Sequence, residues 1–310
     1  MKLRRFKPIG KGKSILILPP NAGHHSAIAD YSDNQSLVQL LIRFGFDVYV
    51  AEWRNATPRY KNVGIADYIR YTDEAVNKII KLNGYGRVNI IGQCQGGWQA
   101  AIYTSLNNEK VDKLVVAASP IDFNYERGFM NDYVDTLPLD FYRYLVSLGG
   151  GVMKGGFIVI GFKNAQPIES YITKYLRLWN YILEEDETAV NRFEEFNDWY
   201  EYTQDLPGRF YLEVIEGVFK KNGLVTGVIE INNAPVNLRN IDRPLILVTG
   251  AKDHITPPGQ CAAMKLYVST SSNEIYERQT QGGHIGTLMG RKALENEWTE
   301  IANILRKGEC

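Results

Sequence analysis

Cysteine is scarce in this chain of 310 residues: there are three, Cys94, Cys261 and Cys310, odd in number and far apart. That spacing argues against a disulfide framework and against a zinc site, so no metal is expected. Histidine is nearly as rare, with four in all, which leaves few candidates for acid–base chemistry. An excess of either charge is missing too, because Lys+Arg and Asp+Glu both total 35. A balanced surface gives no electrostatic argument for nucleic acid or an anionic membrane, and it removes the net repulsion that keeps copies apart. The sequence has no apolar run long enough to span a membrane, and the basic start, residues 1–6, is not followed by the apolar stretch of a signal peptide. A cytoplasmic, reducing setting is the expectation, and it suits a chain that keeps a free thiol.

What is present is a regular alternation of apolar runs and amphipathic stretches. Residues 14–18 form an apolar run closed by Pro19-Pro20 and read as a buried strand. A helix pattern over 36–44 follows, with Leu37, Leu40, Leu41 and Phe44 on one face and Gly45 at its end. Strand 47–52, helix 65–82, strand 88–91, helix 96–106 and strand 113–118 continue the series. It resumes late, with strand 244–250, a helix over 258–267, strand 274–278 and a helix over about 292–305. Each crossover has room for a helix, so the strands are expected to be parallel in a doubly wound α/β sheet.

Residues 121–240 break the alternation with a mainly helical pattern rich in aromatics, among them Tyr142, Tyr144, Tyr171, Trp179, Phe196 and Trp199. This stretch reads as a lid inserted into a core made of residues 1–120 and 241–310. Its rings either face a cleft suited to an acyl substrate or form the lid's own small core, the second being the expectation for most of them. The glycine cluster at 149–156 reads as a surface loop or a hinge.

Gly92-Gln93-Cys94-Gln95-Gly96 has the form G-x-C-x-G between an apolar strand and a helix. A nucleophile on such a strained turn needs small neighbours two residues away on each side, which Gly92 and Gly96 provide. The helix that starts there directs its positive end at the sulfur and favours the thiolate. The backbone N–H of Gln95 is then one oxyanion donor, and Asn21 and Ala22, in the loop after the first apolar strand, are candidates for the second. An acid and a histidine should follow in that order, after later strands. Asp253 sits three residues past Gly250, and His284 follows the last strand in Gly282-Gly283-His284-Ile285. Cys94, Asp253 and His284 are therefore the expected catalytic residues of an α/β-hydrolase fold. His24, His25 and His254 are accessory candidates, with polar loop roles as the alternative.

These motifs resemble those of polyhydroxyalkanoate synthases. Residues 92–97 look like that family's cysteine lipase box, and Glu52-Trp53-Arg54-Asn55 is similar to its tryptophan segment. Asp253-His254-Ile255-Thr256-Pro257 and Gly282-Gly283-His284-Ile285 match its acid and histidine motifs. Leu206-Pro207-Gly208 and residues 237–242 resemble the segment that leads back from its lid. The likeness runs from about Ser14 onward and is loosest in the lid. It implies that Cys94 carries a hydroxyacyl chain, that His284 deprotonates the thiol, and that Asp253 assists the hydroxyl of the incoming 3-hydroxyacyl-CoA. No cofactor is implied beyond a CoA thioester as substrate.

Two departures keep a second reading open. After Trp199 come Tyr200, Glu201 and Tyr202, where synthases carry Asn and then, one residue on, Asp. The Asn21-Ala22-Gly23-His24-His25 loop is similar instead to that of intracellular polyhydroxyalkanoate depolymerases, which also use a cysteine. The expectation is a synthase-like acyltransferase, with a hydrolase of the polyester, its oligomers or small (thio)esters as the alternative. The implied partners are acyl-CoA or polyester, together with a homodimer or a second synthase subunit. The implied location is the cytoplasm, including polyester granules.

Overall fold

The inner strands form because most of their residues are buried on both faces, and that burial selects β-branched and leucine runs. The computed structural model describes residues 1–6, 12–22 and 24–307, with the side chains of His24 and His25 outside that set, as are Gly23 and Cys310. Its main sheet has seven strands: β1 (Lys2–Phe6), β2 (Ser14–Leu18), β3 (Asp47–Glu52), β4 (Val88–Gln93), β5 (Val111–Ala117), β6 (Leu245–Gly250) and β7 (Ile275–Thr280). Their order is β1-β3-β2-β4-β5-β6-β7, and every pairing is parallel except β1 with β3. The mostly parallel sheet expected from the alternation is therefore present.

The two faces follow from the two-residue period of a strand. Along β2, Leu16 and Leu18 join one apolar cluster and Ile15 and Ile17 the other. Helices α1 (Leu37–Arg43), α2 (Ile65–Asn83) and α3 (Gln95–Leu106) cover them. Ser36 caps α1 by accepting from the Gln39 N–H at 2.9 Å, and Gly84 ends α2 in the left-handed conformation, φ 74°.

Between β5 and β6 the described residues add no strand to this sheet. They form α4 (Phe129–Thr136), α5 (Leu139–Leu148), α6 (Gly155–Ala165), α7 (Lys174–Leu183), α8 (Glu187–Glu201) and α9 (Gly208–Glu213), with shorter pieces. The glycine cluster is a turn into a short strand: Gly150 and Gly151 take φ of 68° and 93°, and Val152–Met153 pairs with Leu206–Pro207. The return segment packs on the core, with the Phe210 ring 4.3 Å from Tyr68 and 6.1 Å from Trp98.

Three features differ from the sequence-based expectation. Residues 2–6 are an antiparallel edge strand, held by a two-bond Arg5–Asp47 pair at 2.9 and 3.0 Å. Its basic side chains suit an edge, where charge discourages pairing with other chains. The final helix is two, Arg291–Glu295 and Glu297–Arg306, broken at Asn296. The insertion's aromatics do not form one small core of their own: Tyr144, 61% exposed, and Trp179, 60%, face outward, while Tyr142 is buried and others turn toward a cavity. No described helix is long and apolar enough to cross a membrane.

Candidate active site

The central strand β4 is wholly buried and delivers Cys94 to a turn with φ 52° and ψ −117°. Such a conformation costs an L-residue about 1–3 kcal/mol and persists only where the surroundings hold it. Here the Cys94 N–H donates to Ala117 O at 2.8 Å, and Cys94 O accepts from the Gly97 N–H at 2.9 Å. Glycine is required beside it. A Cβ on Gly96 would lie 1.8 Å from Leu18 O, and one on Gly92 would lie 2.4 Å from Gly96 O. The result points the first turn of α3 at the sulfur.

The acid and the base come from loops after β6 and β7, which are tied together. The Ala251 N–H donates to Thr280 O at 2.9 Å and the Lys252 N–H to Gly282 O at 3.1 Å. Asp253 Oδ1 accepts from the backbone N–H groups of Ile255, at 3.0 Å, and Thr256, at 2.8 Å. Its other oxygen, Oδ2, lies 2.8 Å from His284 Nδ1, which donates because an ionised carboxylate can only accept. Both side chains are buried. Cys94 and His284 line the same cavity, and the Cys94 sulfur is one of the groups that act on the His284 ring. Burial opposes a charge on the ring, but the Asp253 carboxylate and the Cys94 sulfur outweigh it, so the His284 pKa stands well above the ordinary histidine range. The structure thus brings Cys94, His284 and Asp253 together at one site.

The other candidates fall into different positions. His254 is exposed, and desolvation of its ring, helped by His284 and opposed by Asp253, lowers its pKa. His24 and His25 lie in a short 3-10 turn, and their side chains are outside the described residues. Asn21 is buried, and its side-chain oxygen accepts from Gln99 Nε2 on α3. Ala22 lines the Cys94 cavity, and its N–H donates to Gln95 Oε1 at 3.1 Å. Among the described residues, no group of three or more His, Cys, Asp or Glu side chains has the arrangement of a metal site.

A cavity of about 1960 Å³, its solvent-open mouth included, is lined by Cys94, Gln95 and His284 at one end. Phe129, Tyr133, Phe141, Phe157 and Trp199 give it an apolar wall drawn from α4, α5, α6 and α8. Trp199 also packs edge-on against Tyr31 at 5.7 Å, linking α8 to the core. Sequence reading missed Glu201 as a structural group. It bridges Lys163 at 2.5 Å and Lys174 at 3.4 Å, so one carboxylate ties α6, α7 and α8 together. The available signal was an acid at the end of α8 with lysines on two neighbouring helices.

Fold and chain order together place this protein among the enzymes of the α/β-hydrolase superfamily, with a cysteine at the nucleophile position. The chain belongs to the family described as "Protein of unknown function (DUF3141)", whose model matches residues 9–307. It is similar to the poly(3-hydroxyalkanoate) polymerase subunit PhaC of Haloarcula marismortui, 29% identical over 89% of this chain and 57% of that one. The subunit of the same name from Haloferax mediterranei is 27% identical over 89% of this chain and 55% of that one. The chain thus spans little more than half the length of these relatives. Among solved structures it resembles the monoacylglycerol lipase of Paleococcus ferrophilus, with a TM-score of 0.57, 14% identity, and coverage of 98% of this chain and 99% of that one. At that identity the likeness concerns the fold.

Proposed function

We propose that this chain is a cysteine acyltransferase that takes 3-hydroxyacyl thioesters through a covalent acyl-Cys94 intermediate, the reaction of a polyester synthase. The observation that carries the reading is Cys94 held at a strained turn against the His284–Asp253 pair, at the end of an apolar cavity. The relatives that share its sequence over most of its length are named polymerase subunits, which supports the same substrate class.

In this scheme His284 takes the thiol proton and the Cys94 sulfur attacks the thioester carbonyl carbon. The oxyanion receives hydrogen bonds from the Gln95 and Ala22 N–H groups. The intermediate collapses, the C–S bond to CoA breaks, and the CoA sulfur leaves with the proton from His284. Thioester exchange is nearly thermoneutral, which is why a thiol suits acyl shuttling better than a hydroxyl. The hydroxyl of the next 3-hydroxyacyl-CoA then attacks the acyl-Cys94 carbonyl and loses its proton to His284. The C–S bond to Cys94 breaks, the thiol takes that proton back, and the chain, longer by one ester unit, leaves as its CoA thioester, able to acylate Cys94 again. The scheme uses no cofactor. Residues 121–240 act as a lid whose apolar wall receives the acyl chain. A polyester granule surface and a second copy or second subunit are the partners that fit such a role.

One observation favours a second reading. The 2.8 Å bond from His284 to Asp253 is the orienting contact of a hydrolytic triad, with water as the acceptor. The experiment is incubation with 3-hydroxybutyryl-CoA while CoA, free hydroxy acid and polymer are all followed. CoA release matched by ester-linked product is expected. CoA release matched by free hydroxy acid would contradict the transferase reading and favour hydrolysis.

A further inference from the structure

The Ala22 N–H, a donor assigned above to the oxyanion, already has an acceptor within the chain. Gln95 Oε1 takes its hydrogen bond at 3.1 Å. The orientation of the carboxamide is fixed by chemistry, since only its oxygen can accept from an N–H. Both residues line the cavity that holds Cys94 and His284. Gln95 also supplies the backbone N–H that directly follows the nucleophile, so one residue contributes a donor and covers the other.

The local packing makes this contact possible. A Cβ on Gly96 would lie 1.8 Å from Leu18 O and 3.1 Å from Pro19 O, so the first turn of α3 is pressed against the loop after β2. Across that junction the Gln95 side chain reaches Ala22 with good hydrogen-bond geometry. A carboxamide oxygen is planar, carries partial negative charge and accepts along its lone pairs, as the carbonyl oxygen of a thioester does. Cys94 and Gln95 are only partly buried, so an incoming acyl group can reach them.

We propose that the Gln95 side chain is an internal competitor of the substrate: its oxygen stands in the oxyanion position at rest, and the substrate carbonyl must displace it. The inference rests on the reading of Cys94 as the nucleophile. Displacement weakens substrate binding without touching the bound transition state. The Gln95 side chain, as distinct from its backbone N–H, thus acts on KM rather than kcat.

The test compares the wild-type chain with Gln95→Ala and Gln95→Glu on 3-hydroxybutyryl-CoA. In parallel, Cys94 is labelled with methyl methanethiosulfonate, a thiol reagent without a carbonyl, and the Cys94 peptide is followed by mass. Removing the competitor in Gln95→Ala should lower KM roughly three- to tenfold, the worth of one neutral hydrogen bond. The substitution keeps the backbone N–H that serves the oxyanion, so the fall in KM should exceed any change in kcat, and the labelling rate should stay within about twofold of wild type. Gln95→Glu keeps the shape but holds the N–H with a charged acceptor, so KM should rise. An unchanged or raised KM in Gln95→Ala, with labelling at the wild-type rate, would overturn the proposal. So would a KM in Gln95→Glu at or below that of wild type. If no form is acylated while all are labelled, the nucleophile reading fails and the competitor with it.

Discussion

Cys94→Ala is expected to abolish turnover of acyl substrates while the melting temperature stays close to that of wild type. In the proposed reaction the sulfur is the atom that forms the covalent bond, and alanine has no substitute for it. The turn itself is held by backbone bonds from Cys94 to Ala117 and Gly97, which alanine keeps. A φ of 52° strains alanine about as much as cysteine, so the exchange adds little cost. Cys261→Ala provides the contrast. That thiol is buried, its sulfur faces Val116 O and Val248 O, and burial pushes its pKa up to about 12. A group so hard to ionise is a poor nucleophile, and its loss should leave the rate near wild type. Steady-state rates with a hydroxyacyl thioester and thermal melts check both variants. Retained activity in Cys94→Ala would remove the assignment.

His284→Ala is expected to lower the rate by about two to four orders of magnitude, the usual span for a lost general base. The effect is large because His284 bonds Asp253 and shares the cavity end with Cys94. Stability should fall as well, because the buried Asp253 carboxylate keeps its two backbone donors but loses the ring. Added imidazole separates the two effects: partial recovery of rate is expected if the missing group is a base. His254→Ala should cost much less, since that ring is exposed and makes none of the bonds that hold the pair. The reverse ranking of the two variants would move the base to His254.

Much of the fold was legible because the inner strands of its sheet are mostly buried on both faces. Runs such as Ile15-Leu16-Ile17-Leu18 have no other comfortable place in a domain of this size. The elbow was legible because Gly92, Gly96 and Gly97 stand where a Cβ would strike neighbouring atoms. The order acid then histidine was legible from the strands that precede each, and the structure brings Asp253 and His284 to 2.8 Å.

What escaped the sequence depends on contacts between distant segments. Residues 2–6 carry three basic side chains and too short an apolar pattern to read as a strand. They are strand because Arg5 finds Asp47 and the backbone pairs with β3. The break at Asn296 has no glycine or proline to mark it, and the periodicity runs through it. The aromatics of α7 follow a helical period, yet Tyr175 packs against Phe193 of α8 while Trp179 stays 60% exposed, so the period revealed the helix and not which way Trp179 faces. The Gln95–Ala22 contact spans 73 positions and depends on a side-chain rotamer, which spacing does not encode.

The most direct test of the central claim is the intact mass of the protein after rapid mixing with 3-hydroxybutyryl-CoA and acid quench. The account predicts a mass increase of one hydroxyacyl group or a short oligomer of it, mapped to the peptide that contains Cys94 and missing from Cys94→Ala. An unmodified wild-type chain during active turnover, or an adduct on any other residue, would contradict it.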